Sequence, residues 1–231
     1  ARMQGIPRIW RRSLFTLAAL ASCSLAALAG APRAAPATAD PDFSQWWHDG
    51  RAELDGYRLV VSRYGHPRAG RGVLVYVTEP FSEARHVKVD DAAKNPQDTF
   101  DALKLNLVRS FQTGIYDYHT MVSLFVRSSD FSPVKLTFSS AEWCGQVYER
   151  VDFNGPRLSS RFDSYFDGES AEHALDLPPD VVAEDDLFIL LRGLRGAYLA
   201  PGARRSVPFV ASPFYRRLAH QDIVISNATI E

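Results

Sequence analysis

The densest group of chemically notable residues in the chain is the tetrapeptide Glu142-Trp143-Cys144-Gly145. A cysteine nucleophile requires a histidine base and an orienting group. An exported hydrolase could use Glu142 as general base and Cys144 as nucleophile, with His119 or His48 as the histidine. However, no signature of a cysteine hydrolase surrounds Cys144, so the pattern favours a small thiol buried in the wall of the fold. The hydrolase is therefore kept as an alternative hypothesis.

Other chemistries lack their sequence signatures. The six histidines occur singly, without His-x-His, His-Glu-x-x-His or Cys-x-x-Cys spacing, so we expect no metal site. Neither Gly-x-Ser-x-Gly nor Gly-x-Gly-x-x-Gly occurs, and we expect no cofactor. A net charge of -1 with scattered basic residues argues against a nucleic-acid partner held by phosphate contacts.

Tryptophans are the candidates for contact with a ligand. Trp46 and Trp47 are adjacent and precede His48, and Trp143 lies in the central tetrapeptide. Aromatic side chains of this kind can form a shelf for a ligand. The pattern around residues 43–50 more strongly favours a leading segment that plugs one end of the core.

Residues 1–39 have the pattern of an export signal and the start of a tether. A basic start precedes an apolar run over residues 14–31. Leu20-Ala21-Ser22-Cys23 resembles a lipobox, which predicts lipidation of Cys23, and the serine that follows predicts the outer membrane. The alternatives are simple cleavage after Ala29 or Ala39, and an uncleaved anchor, for which the run is short. Each reading predicts export, as an outer-membrane lipoprotein facing the periplasm or a soluble periplasmic or secreted protein.

Alternating side chains predict a mainly β fold. Val134, Leu136 and Phe138 alternate with polar residues, as in a half-buried antiparallel strand. Six or seven such segments follow one another over residues 52–153 with hairpin spacing. They predict an antiparallel meander that forms a curved sheet or half-barrel. Residues 73–77 are apolar on both faces, which predicts a central strand or one lining a barrel.

Two details of this pattern are less regular. The glycine-rich segment from Gly65 to Gly72 predicts a hairpin loop. In the segment 102–111 the leucines are predicted to point inward and Arg109 outward, and the alternation slips at Val108.

One amphipathic helix is predicted near residues 180–195. Leu187, Leu190, Leu191 and Leu194 recur at helical spacing and form an apolar stripe. We expect this helix to lie across an open face or mouth of the sheet. Late strands are predicted at 206–210 and 222–230, and the second ends with the chain, which is typical of a truncated sequence. Residues 40–231 thus predict one β-rich domain of ordinary size.

A family resemblance rests on several short motifs. Trp47-His48-Asp49-Gly50, Ser62-Arg63-Tyr64-Gly65, Leu103-Lys104-Leu105-Asn106, Thr113-Gly114-Ile115-Tyr116 and above all Glu142-Trp143-Cys144-Gly145 resemble a family of exported bacterial proteins without an established activity. Some members carry the label septum formation inhibitor Maf, which implies a cytoplasmic nucleotide pyrophosphatase. The Ser-x-Ser-Pro-Arg-Arg loop of that enzyme is absent, and the export signal contradicts the label. More loosely, the predicted architecture resembles the lipoprotein-localisation fold, a curved sheet that shelters acyl chains.

These features predict a non-enzymatic envelope protein that binds a lipid, another apolar ligand or a partner protein. The export signal, the strands apolar on both faces, and 14 phenylalanines with 9 tyrosines favour this function. Acylation of Cys23 would anchor the protein to a membrane. The alternatives are the exported hydrolase and a structural envelope-assembly protein, for which a large exposed apolar patch would be the distinguishing feature.

Overall fold

The computed structural model describes residues 42–193 and 198–231. The predicted export signal, with Cys23, lies outside the described residues. The helices are α1 (Phe43–Trp47), α2 (Leu187–Gly193) and α3 (Pro213–Leu218), and short 3-10 turns span Ala92–Lys94, Pro96–Asp98 and Glu184–Asp186. The strands are β1 (Glu53–Arg63), β2 (His66–Ser82), β3 (Thr99–Thr113), β4 (Tyr116–Arg127), β5 (Pro133–Glu142), β6 (Gly145–Asn154), β7 (Arg157–Ser164), β8 (Ala171–Asp176), β9 (Val182–Ala183), β10 (Arg205–Val210) and β11 (Ser226–Ile230).

Strands β1 to β8 form one curved sheet in chain order, each antiparallel to the next. The first and last strands are its two edges, so the sheet is open and does not close into a barrel. The predicted mainly β antiparallel meander is thereby confirmed. In strand β5, Leu136 and Phe138 are buried in the main core, and the residues that alternate with them are half-exposed, as predicted. Val134, predicted on the same face, instead packs with Phe81 and Ala102 in a separate cluster, because the register between β4 and β5 shifts next to it.

A second, three-stranded sheet follows the meander. Strand β10 pairs antiparallel with β11 and parallel with β9. Helix α3 packs against the inner face of the large sheet, where the Phe214 and Phe111 rings lie 6.4 Å apart. In the described residues, no helix is long and apolar enough to cross a membrane.

The glycine-rich segment is a strand, and its prediction as a hairpin loop was wrong. The turn between β1 and β2 is formed by Tyr64 and Gly65 alone, both in the left-handed region at φ 55° and 72°. Gly70 and Gly72 lie inside β2 on its inner face. A Cβ added at Gly70 would lie 2.9 Å from Leu59 Cδ1, and one added at Gly72 would lie 3.1 Å from Leu59 Cδ2. The absence of side chains at both positions therefore leaves the space that Leu59 occupies.

Helix α2 buries a stripe one position away from the predicted one. The buried positions of α2 are Ile189, Leu190 and Gly193, preceded by buried Asp186 in the 3-10 turn before the helix, while Leu191 is 59% exposed. The reason is close packing: the Phe131 ring lies where a Cβ at residue 193 would stand, so only glycine fits this side of the helix. The predicted stripe member Leu194 lies outside the described residues.

The end of α2 and the leading helix α1 cover one end of the inner face. The Arg192 guanidinium pairs with Glu53 and Asp55 of β1 and lies 4.4 Å from the Tyr76 ring centroid. In α1, Trp47 is buried with its ring centroid 5.5 Å from that of Tyr76. Burial raises the pKa of Tyr76 to about 12, with Arg192 acting in the opposite direction.

Candidate functional site

A crevice of about 340 Å³ opens between the first strand and α3. We call it the β1–α3 crevice and define it by Leu59, Val61, Arg63, Arg109, Phe214 and Leu218. Apolar surface makes up somewhat more than half of its lining, and Arg63 and Arg109 are its two charged side chains. Tyr64 and Tyr215 line it as well and are 64% and 55% exposed. Small-molecule sites have this size and this combination of apolar walls with a few charged groups.

Strand geometry makes room for the crevice. Tyr57, Gly72 and Arg109 lie opposite one another on β1, β2 and β3, and Leu59, Gly70 and Phe111 form the next row. Because β2 carries glycines in both rows, the inner face has no β2 side chain between the first strand and the third. Leu59 fills the space over the two glycines, and Arg109 lies beside it.

A buried ion cluster holds α3 on the sheet. Glu149 of β6 is fully buried, and its carboxylate lies 3.2 Å from Arg216 and 2.7 Å from Arg217. Ser160 donates a further hydrogen bond of 3.1 Å to Glu149. Burial works against ionisation of Glu149, but the hydrogen bonds and charges of the two arginines outweigh it and lower the pKa of the carboxyl. The cluster fixes the position of the helix that forms one wall of the crevice.

Arg109 points into the protein, and its predicted outward orientation was wrong. The side chain is 8% exposed, and its guanidinium lies 4.1 Å from the centroid of the Phe214 ring. Its buried Nη1 has no hydrogen-bond partner. Burial lowers the pKa of Arg109, and the charge of Asp185 opposes this shift. The alternation of β3 does not slip at all, because Val108 faces outward and Arg109 inward.

The carboxylates whose charge acts on Arg109 bind Ser212. Asp185 Oδ1 accepts a hydrogen bond of 3.1 Å from the Ser212 hydroxyl, and Glu184 accepts one of 2.9 Å from the Ser212 backbone N–H, while Asp185 Oδ2 is buried without a partner. Both carboxylates therefore hold Ser212, the residue that precedes the first turn of α3. Asp185 and Asp186 are fully enclosed, and burial raises the pKa of Asp185 to about 6 and that of Asp186 well above its ordinary value.

Arg63 lies at the mouth of the crevice. Its Nη1 donates to the Leu218 carbonyl and its Nη2 to the Tyr64 hydroxyl at 3.2 Å, while its Nε is buried without a partner. The Tyr64 and Tyr118 hydroxyls are 3.1 Å apart. Among the described residues, neither Arg63 nor Arg109 forms an ion pair with a carboxylate. The crevice thus carries two positive charges that the described part of the chain does not neutralise by direct contact.

A smaller cavity of about 30 Å³ lies next to the crevice. It is lined by Glu142, Tyr118, Glu169 and His220, among others. His220 Nδ1 lies 2.6 Å from Glu169 Oε1. Burial and a hydrogen bond with Glu142 raise the pKa of Tyr118. The cavity brings two carboxylates and a histidine together, but its volume leaves little room for a substrate.

The proposed hydrolase residues do not converge. Glu142 pairs with Tyr118 on the inner face, whereas His119, the next residue along β4, points outward and is exposed. Cys144 is an exposed free thiol in the turn between β5 and β6, so its predicted burial in the wall of the fold was wrong. The physical reason is that Glu142 pairs directly with Gly145, which leaves Trp143 and Cys144 as a two-residue hairpin loop.

The tryptophan candidates are also spread over the molecule. Trp47 is buried in the core, as expected for a plug, and Trp46 is 65% exposed. His48 lies 3.7 Å from Asp101. Trp143, at the hairpin tip, packs edge-on against Tyr116 with ring centroids 6.1 Å apart. None of these four candidates lines the β1–α3 crevice.

The outer face of the sheet carries a shallow groove of about 630 Å³. Val108, Met121, Ser139 and Tyr148 lie opposite one another across β3 to β6 and form its floor. The three larger side chains are each 36–43% exposed. We call this row the outer apolar patch. Among the described residues, no group of His, Cys, Asp and Glu is arranged to hold a metal ion.

The sequence did not reveal the inward position of Arg109 or the presence of helix α3, on both of which the crevice depends, and the reasons differ. Arg109 is a charged residue in an inward position, so its type contradicted its place in the alternation. Helix α3 has six residues, too few for a periodic pattern. The pair Gly70 and Gly72 was the available signal, since glycines within a strand indicate a close approach. Comparisons of the chain with protein-family models, with curated proteins and with solved structures give no match.

Proposed function

We propose that this chain is a non-enzymatic, exported cell-envelope protein that binds an apolar ligand in the β1–α3 crevice. The observation that carries the proposal is the crevice itself, a 340 Å³ opening with walls of Leu59, Val61, Phe214 and Leu218. Its volume lies in the range of small-molecule sites, and its few polar groups could orient a bound molecule. Export and membrane attachment through Cys23 rest on the sequence of residues 1–39.

The walls of the crevice belong to the packed core, which supports a preformed site. Val61 is 8% exposed and Phe214 is 1% exposed, so the walls are built into the core and are rigidly held. Tyr64 and Tyr215 are exposed on the same crevice. Such side chains combine an apolar ring with a polar hydroxyl, which suits the entrance of a site that is wet outside and apolar inside.

The proposal is tested with a neutral fluorescent ligand such as N-phenyl-1-naphthylamine. The full chain, freed of bound lipid, should enhance its fluorescence with saturation at one site. Leu218→Trp should abolish saturable binding, because the larger ring fills the crevice between α3 and β1. The matched control is Leu191→Trp, at an exposed position of α2 that does not line the crevice. Unsaturable binding, or equal binding by the two variants, would refute the proposal.

The outer apolar patch favours one second candidate, a role in envelope assembly. Val108, Met121 and Tyr148 form an exposed row on a paired part of the sheet, and exposed apolar patches often mark protein contacts. If the patch mediates self-assembly, the protein should sediment as a concentration-dependent oligomer and Met121→Lys should sediment as a monomer. A wild-type protein that stays monomeric would exclude self-assembly through the patch.

A further inference from the structure

Arg109 lacks the partner that a buried charge requires. Its side chain is more than nine-tenths buried, it lines the β1–α3 crevice, and its Nη1 has no hydrogen-bond partner. Leaving a buried guanidinium N–H unpaired costs free energy, so such groups in proteins are normally matched by an anion or an acceptor. The Phe214 ring face at 4.1 Å offers a cation–π contact but accepts no conventional hydrogen bond.

No nearby carboxylate of the protein accepts a hydrogen bond from Arg109 in the described part of the chain. Asp185 and Glu184 influence Arg109 through their charge. Asp185 Oδ1 accepts a hydrogen bond of 3.1 Å from the Ser212 hydroxyl and Glu184 one of 2.9 Å from the Ser212 backbone N–H. Asp185 Oδ2, like Arg109 Nη1, is buried without a hydrogen-bond partner. Arg63, at the mouth of the same crevice, likewise has an unpartnered buried Nε. Two guanidinium groups therefore border an apolar space, and each has an N–H group to donate.

We propose that the ligand of the crevice is an anionic amphiphile, with an apolar chain and a single carboxylate or phosphate head group. This inference rests on the proposed function, because it specifies the ligand of the same crevice. The head group accepts hydrogen bonds from Arg109, and Arg63 adds a second positive charge. The apolar chain lies against Leu59, Val61 and Leu218. Arginine suits this task because its planar fork of donors matches carboxylate and phosphate oxygens.

The test compares ligands that differ only in the head group. Dodecanoate, dodecyl phosphate and dodecanol are titrated against the full chain carrying N-phenyl-1-naphthylamine, at a pH where the carboxylate is ionised. At least one of the two anions should displace the dye at concentrations about tenfold or more below those of dodecanol, because a charge-assisted hydrogen bond in a dry site contributes this much. The anion that displaces the dye at the lower concentration shows whether the head group of the ligand is a carboxylate or a phosphate.

Variants assign the preference to Arg109. Arg109→Gln should bring the ratio of anion affinity to dodecanol affinity down to about one, and Arg109→Lys should retain part of the preference. Arg71→Gln is the control, since Arg71 is exposed on the outer face of the neighbouring strand. If Arg109→Gln does not fold, the wild-type comparison and Arg63→Gln, which should weaken the preference, decide the question.

The outcomes separate this inference from the proposed function. Equal displacement by anions and alcohol would overturn the inference and leave an apolar-ligand protein. Failure of every ligand and of the dye to bind would refute both. An anion preference that survives unchanged in Arg109→Gln would also overturn the assignment to Arg109.

Discussion

Asp185 is a buried carboxyl whose ionisation should oppose folding. Burial raises its pKa to about 6, above the ordinary value of 3.8. The folded state therefore keeps this proton over a pH range in which the unfolded state has already released it. Stability must then fall as the pH rises from about 4 through about 6, and above that range the loss is complete at about 3 kcal/mol.

Asp185→Asn should consequently stabilise the protein at neutral pH. The amide removes the cost of burying the charge, and its carbonyl can still accept the hydrogen bond from Ser212. Urea unfolding should show a gain of about 3 kcal/mol near pH 8 that vanishes near pH 4. Asp176→Asn, at a side chain that is 95% exposed, is the control and should change little. A gain that does not vary with pH would show that Asp185 is not the titrating group.

The wrong predictions concern residues whose usual burial differs from the burial that the backbone gives them. Arg109 was predicted to face outward because charged side chains are seldom buried, yet the period of β3 places it inward beside Leu107. Cys144 was predicted to be buried because free cysteines usually are, yet a two-residue loop exposes it. In both cases the backbone geometry decided the orientation. Glu142, by contrast, lines a cavity, but sequence could not show that His220 and Glu169 are its neighbours there.

At the scale of elements, strands with long alternation were predictable and short elements were not. Strands β3 and β5 bury alternate residues along most of their length, and they lie within residues 52–153, where the sequence predicted the meander. Strand β8, with six residues, was missed because its residues are half-exposed or exposed throughout. Helix α3 was missed because its buried face includes Arg216 and Arg217. The cost of burying these two charges is offset by their ion pairs with Glu149, which exist only in the folded chain.

The docking of α2 should depend on Gly193. A methyl group at this position would overlap the Phe131 ring, which is 2% exposed and cannot move freely. Gly193→Ala should therefore destabilise the protein by about 1–3 kcal/mol, despite the better helix propensity of alanine. Urea unfolding of Leu191→Ala, an exposed change in the same helix, provides the comparison and should stay within about 0.5 kcal/mol of wild type.

The double variant Gly193→Ala with Phe131→Leu distinguishes the two explanations of such a loss. The smaller leucine leaves space for the added methyl group, so the cost of the glycine substitution should shrink in its presence. If the two losses simply add, the ring contact is not the cause, and the conformation of residue 193 would have to explain the effect.

One seam of the described domain joins α3 to the large sheet. The meander forms a continuous antiparallel sheet from β1 to β8, and the C-terminal part of the chain crosses its inner face through α3. Glu149 anchors α3 near the middle of the sheet, whereas toward β1 the contact is made by Arg63 and the Leu218 carbonyl. The crevice lies on this second, less heavily bonded side. A ligand there bridges an edge strand and the covering helix, so binding should stabilise the seam rather than the sheet as a whole.

Amide hydrogen exchange should reveal this local stabilisation. Saturating dodecanoate should slow exchange by about tenfold or more in peptides covering α3 and β1, because opening of the seam would then require release of the ligand. Peptides from β8, the strand at the far edge of the sheet, serve as internal controls and should exchange at unchanged rates. Arg109→Gln should lose the protection in both elements together. Protection centred on β4 to β6 instead would place the ligand on the outer apolar patch and contradict binding at the seam.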